Sequence, residues 1–129
     1  AQNTGNLLNN YISVKNALVS SDSKAANTAI SALNEAVKSE DNFAQKAELQ
    51  KATEKLSKAG NNIEKQRAAF NDVSTIMWKL VKPSDKVNQP VYYQYCPMKK
   101  AYWLSKEKDI KNPYYGSSML TCGKVAETK

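Results

Sequence analysis

The chain has 129 residues, 41% hydrophobic and 24% charged, with four glycines and four prolines. This balance fits one globular domain and excludes a disordered, fibrous or linker protein. No apolar run approaches the ~18–20 residues of a membrane span, so the chain is not expected to cross a membrane. The net charge of +7 is unevenly placed: residues 79–129 carry ten lysines against four acidic side chains, whereas residues 1–78 are close to neutral.

The opening "AQNTGN" has neither the basic segment nor the apolar core of a signal peptide. Its Ala-Gln start fits a mature chain whose signal or lipoprotein leader has been removed, and fits an arbitrary boundary as well. Leu7, Leu8, Tyr11, Val14 and Leu18 then recur at three- and four-residue steps, which predicts a first helix over about residues 5–19. "SSDS" at 20–23 breaks it and offers cap oxygens for a second helix carrying Ala26, Ala29, Ile30, Leu33, Ala36 and Val37 to about residue 38. "SEDN" at 39–42 reads as the next turn and cap. A third helix carries Leu49, Ala52, Leu56 and Ala59 and stops at Gly60-Asn61. A fourth has Ile63, Arg67, Phe70, Val73, Met77 and Leu80 on one face, and Pro83 ends it by about residue 82. Short connections make successive helices antiparallel. Arg67 is the polar member of its stripe, expected to reach the bundle edge or to pair with a carboxylate such as Glu64. Met77 and Trp78 read as core or core-edge residues.

The last third changes character. "QPVYYQYC" is β-branched and aromatic and predicts a strand over about 91–96, with "MLTCGKVAE" at 119–127 as its antiparallel partner. Between them a single helical turn is expected, with Ser105 capping "KEKDI", followed by an Asn-Pro turn and a glycine. Seven of the eleven aromatic residues lie after residue 90, which suggests a second small cluster on the end or side of the bundle. The expected fold is mainly α: one domain over 1–129, an antiparallel up-down four-helix bundle over about 5–82, and a small C-terminal β-hairpin region over about 88–127.

Function is bounded first by what is missing. With no histidine, a Ser-His-Asp triad, a Cys-His nucleophile pair and a His-based zinc site are all unavailable. No Gly-rich phosphate loop occurs, and the acidic residues are spread along helix surfaces, so an enzyme is not expected. The basic tail lacks an arginine fork for phosphates or bases, and no nucleic acid is expected as a partner. An acidic protein partner would suit the same charge.

The sulfur atoms remain. Both cysteines and two of the three methionines lie in the last third, as "YCPM" at 95–98 and "SSMLTCG" at 117–123. Thiolate and thioether sulfur are soft donors, suited to Cu(I) or Ag(I). An extended backbone would place Cys96 and Met98 on one face, while Met119 and Cys122, three apart, suit a turn. Pairing of the two segments would bring Cys96, Met98, Met119 and Cys122 within reach of one ion. A Cys96–Cys122 disulfide explains the cysteines equally well, closing a loop of about 26 residues for roughly 3–4 kcal/mol, with the methionines packed under the aromatics.

"VYYQYCPMKKAYWLSKEKDIKNPYYGSSMLTCGKV" resembles the C-terminal signature of a domain family of unknown function from Gram-negative bacteria. Cys96, Pro97, Met98, Trp103, Asn112, Pro113, Tyr114, Gly116, Met119, Cys122 and Gly123 fall on its pattern. "YISVKNALVSSDSKAANTAISAL" and "EKQRAAFNDVSTIMWKL" are similar to its helices. "KKAY" stands where many members have Ala and a short Gly-containing turn. Members occur as small exported proteins, or beside or fused to periplasmic adaptor subunits of copper and silver efflux systems. The resemblance implies a periplasmic or surface-lipoprotein setting, an adaptor subunit as partner, and Cu(I) or Ag(I) held by Cys96, Cys122, Met98 and Met119. Trp103 would shield the ion, and Asn112-Pro113 and Gly116 would shape the loop leading to Met119.

Overall fold

A computed structural model describes residues 3–129. Ala1 and Gln2, on which the reading of a processed start rests, lie outside the described residues. Four helices come first: α1 (Thr4–Val19), α2 (Ser23–Ser39), α3 (Lys46–Ser57) and α4 (Ile63–Val81). Three are opened by a side chain that accepts a first-turn N–H: Asn3 from Asn6 (2.9 Å), Asp22 from Ala25 (3.0 Å) and Asn62 from Lys65 (3.1 Å). The exception is α3, which starts after Gln45 with no side-chain cap. The "SEDN" segment is therefore a turn ahead of the helix, not its cap. Gly60, at φ +59, ends the run after α3, a backbone conformation that glycine adopts at no steric cost.

Leu7, Leu8, Tyr11, Val14 and Leu18 of α1 are fully buried, as are Ile30, Leu33 and Val37 of α2, Leu49 and Leu56 of α3, and Phe70, Val73 and Met77 of α4. Each helix packs on its successor and α4 closes against α1. Among the described residues, no helix is long and apolar enough to cross a membrane.

The C-terminal part is a three-stranded antiparallel sheet, not the expected hairpin: β1 (Tyr92–Cys96), β2 (Ala101–Ser105) and β3 (Lys124–Thr128), in the order β2-β1-β3. β1 and the segment before the C-terminus do pair antiparallel, with Tyr95 opposite Lys124. What the sequence reading lacked is β2, "AYWLS", which pairs with β1 across the four-residue turn Pro97–Lys100. The helical turn expected at "KEKDI" is absent. Ser105 closes β2 instead, its Oγ accepting the Glu107 N–H at 3.0 Å.

β2 meets the bundle edge-on. Its outward amides and carbonyl are taken by side chains rather than by a fourth strand. Asn71 of α4 accepts the Tyr102 N–H at 2.8 Å, Tyr11 of α1 accepts the Leu104 N–H at 3.0 Å, and Tyr114 donates to the Tyr102 carbonyl. Sealing an edge in this way removes a template for unwanted strand pairing. One sheet face stacks on α4 through Trp78, Tyr93 and Tyr102, with ring centroids 4.8 and 4.5 Å apart and nearly parallel planes. Residues directly opposite across a strand pair share a face, so Gln94 and Trp103, like Cys96 and Ala101, line the other face. That second face lies under the loop carrying Tyr114, whose ring meets Trp103 edge-on at 6.1 Å.

Candidate functional site

Cys96 is the last residue of β1 and is fully buried. Cys122 is half-buried, two residues before β3. Both are free thiols. Between Cys122 and the strand stands Gly123, at φ +150, where an added Cβ would lie 2.9 Å from both the Trp103 ring and the Tyr95 carbonyl oxygen. Only glycine lets the backbone run this close over the indole, and the close approach sets Cys122 beside the end of β1. Its thiol is held above the ordinary cysteine range, first by loss of solvent, then by the neighbouring Cys96 thiol and the hydrogen bond between the two.

Asn112, fully buried, secures the Cys122 segment from the far side of the loop. Its side-chain amide donates to the Cys122 carbonyl at 2.7 Å, its backbone N–H donates to the Leu120 carbonyl at 2.7 Å, and its Oδ1 accepts the Tyr114 N–H at 2.8 Å. The adjoining Pro113 carbonyl accepts from Arg67 Nε at 2.8 Å. Arg67 Nη2 also reaches the Leu18 carbonyl at 2.8 Å and Ser21 Oγ at 3.0 Å. Of the two expectations for Arg67, the carboxylate pairing is not met: it bonds to carbonyls and a hydroxyl at the edge of the bundle. It fastens the C-terminal end of α1, where the helix dipole favours a cation, to the loop that carries the site. Gly116 passes directly beneath, at φ +57, with room for no Cβ: one would lie 2.5 Å from Ser21 Oγ and 2.9 Å from Arg67 Nη2.

The two methionines are placed differently. β1 ends at Cys96 and Pro97–Lys100 is a turn, so the extended backbone that would have kept Met98 on the face of Cys96 is interrupted. Met98 is 65% exposed and Met119 39%. Met119 follows the 3₁₀ turn Gly116–Ser118, and its carbonyl accepts the Cys122 N–H at 3.1 Å. The structure thus brings the two thiols together and leaves both thioethers facing solvent on the flanking turns. Trp103 is fully buried beneath Gly123, and its Nε1 has no hydrogen-bond partner. Among the described residues, no group of three or more His, Cys, Asp or Glu side chains could hold a metal ion.

Lys15 was missed in the sequence. It is buried, within reach of the charges of Glu107 and Lys111, and loss of solvent pulls its ammonium below the ordinary lysine range. The signal was present, because position 15 lies four residues after Tyr11 and three before Leu18, on the buried stripe of α1.

Residues 7–89 match the model of a family described as "Protein of unknown function (DUF3347)". The chain belongs to this family. The match covers the four helices of the DUF3347 chain, bar the first three residues of α1, and stops just before β1, so the cysteines lie beyond it. No curated protein and no solved structure matches the chain.

Proposed function

We propose that this protein is a non-enzymatic binder of a soft monovalent metal ion, Cu(I) or Ag(I), with Cys96 and Cys122 as thiolate ligands. One observation carries the reading: two free thiols stand side by side where β1 ends and the chain turns into β3, one buried and one opening to solvent. Paired thiolates without imidazole or clustered carboxylates suit a soft ion and offer little to Mg²⁺ or Ca²⁺. Exposed Met98 and Met119 on the adjacent turns supply thioethers that first capture the ion or complete its shell. The Trp103 ring below Gly123 excludes water from the buried side. Supporting a cell-envelope setting, and a periplasmic adaptor subunit of a metal efflux system as partner, is the resemblance of residues 91–125.

The test is anaerobic titration of the reduced protein with Cu(I) against a competing chelator. Retention of one equivalent by the wild type and none by Cys96→Ser/Cys122→Ser is expected. Loss of all copper to the chelator at every ratio would sink the reading. A second reading, a structural or interaction module stapled by a Cys96–Cys122 disulfide, is favoured by the same nearness of the sulfurs. It requires that the native protein show no titratable thiol before reduction and take up no copper after it.

A further inference from the structure

A cavity of about 590 Å³ lies between α4, the Pro97–Lys100 turn and the Tyr114–Ser118 segment, within the range of small-molecule sites. Glu64, Arg67 and Asn71 line it from one face of α4, at helical spacing; Lys99, Lys100 and Tyr115 stand on the opposite side. Three cations thus share the cavity with one carboxylate.

Arg67 is the central observation. It is half-buried, and its Nε and Nη2 are spent on three uncharged oxygens. Among the described residues it forms no ion pair; the carbonyl end of α1 meets its charge only in part, and a full positive charge facing a partly enclosed space favours an anion. Lys99 lies over the Tyr115 ring, 5.1 Å from its centroid. Lys100 is held at φ +51, a left-handed conformation rare outside glycine, and strained residues of this kind gather at binding sites. Asn71 has its carbonyl committed to Tyr102, while no hydrogen bond among the described residues uses its amide nitrogen.

We infer that this groove binds a small organic monocarboxylate. Lys99, Lys100 and the remaining N–H groups of Arg67 take the carboxylate, and the Tyr115 ring lies against the carbon skeleton. Glu64 makes a second negative charge on the ligand unfavourable. The thiols play no part.

The experiment is calorimetric and thermal-shift titration with benzoate, hexanoate and inorganic phosphate, at an ionic strength held constant with chloride. Saturable binding of a carboxylate is expected, weakened at least tenfold in Lys99→Ala/Lys100→Gly. Glycine adopts the Lys100 backbone freely, so this variant removes the charge and spares the turn. Lys106→Ala/Lys124→Ala, which removes two charges outside the groove, is expected to bind as the wild type does. So is Cys96→Ser/Cys122→Ser, which separates this proposal from the metal reading. Absence of saturable carboxylate binding, equal binding of phosphate, or an equal loss in Lys106→Ala/Lys124→Ala would overturn it.

Discussion

The hydroxyl of Tyr11, on the first helix, accepts the backbone N–H of Leu104, 93 positions later, at 3.0 Å, and also pairs with Ser74 Oγ at 2.6 Å. A fully buried phenol thus joins α1, α4 and the edge of the sheet. Tyr11→Phe keeps the stacking on Phe70 (5.0 Å) and strands the Leu104 N–H. It is expected to destabilise the fold by about 1–3 kcal/mol, read from the midpoint of denaturant unfolding with an unchanged slope.

Gly116→Ala combines a left-handed backbone with the clash against Ser21 Oγ and Arg67 Nη2. A loss of about 1–3 kcal/mol is expected. Because the clash displaces the Arg67 clasp, amide exchange should accelerate at the end of α1 and in residues 112–116 together. Gly60→Ala has the same sign of φ but nothing within 4 Å of the added Cβ, and should cost less.

Lys15 gives the protein a pH signature. Its folded pKa lies below the ordinary value of 10.5, chiefly through burial. Between the two values the unfolded chain binds more protons, so stability rises with pH in that window. Tyr11, Tyr93 and Tyr114 have the opposite sign: burial raises their folded pKa values, and stability falls as pH climbs past their ordinary value of 10.0. Lys15→Met is expected to raise stability near neutral pH by about 0.5–2 kcal/mol and to abolish the rise while keeping the alkaline fall. Thermal melts from pH 7 to 11 would show it.

The raised pKa of Cys122 means that its thiol stays protonated at neutral pH. Metal uptake must then expel protons, so the apparent Cu(I) affinity should increase with pH up to the thiol's own pKa. Iodoacetamide should modify half-buried Cys122 before fully buried Cys96, and faster as pH rises. Cys96→Ala, which leaves neither a second thiol nor a hydrogen-bonding γ atom, removes two of the three causes of the shift and should speed that reaction at a given pH, as peptide mass spectrometry would register.

Met98→Ala/Met119→Ala touches two exposed side chains. Stability should move by no more than about 0.5 kcal/mol, while Cu(I) retention against the chelator falls. Undiminished retention would remove the thioethers from the proposed site.

The helices were legible because one periodicity, with capping asparagine or aspartate at three of the four starts, recorded both their extent and their buried faces. β2 was not. "AYWLS" is too short for alternation to speak, and its strand character comes from distant partners: Tyr11 and Asn71 on its edge and β1 alongside. The nearness of Cys96 and Cys122 followed from pairing, antiparallel, one segment that ends in sulfur with another that begins in it. The departure of Met98 from that face followed from a turn that Pro97 announces but whose shape, with Lys100 rather than glycine as its left-handed residue, has no mark in the sequence. The partners of Arg67 were hidden for another reason: backbone carbonyls are present at every position and leave no mark in composition.

The two margins of the sheet differ. β2 is closed by side chains from the bundle, whereas β3 ends the sheet on the other side and is largely exposed, with Glu127 alone among its residues bonded by its side chain to α4 and Lys82. Among the described residues, β3 is thus the margin that offers a template for a further strand. Were two chains to pair there symmetrically, the sheet margins left over would be the two β2 edges already closed by side chains, and backbone pairing would have no edge on which to extend into a filament.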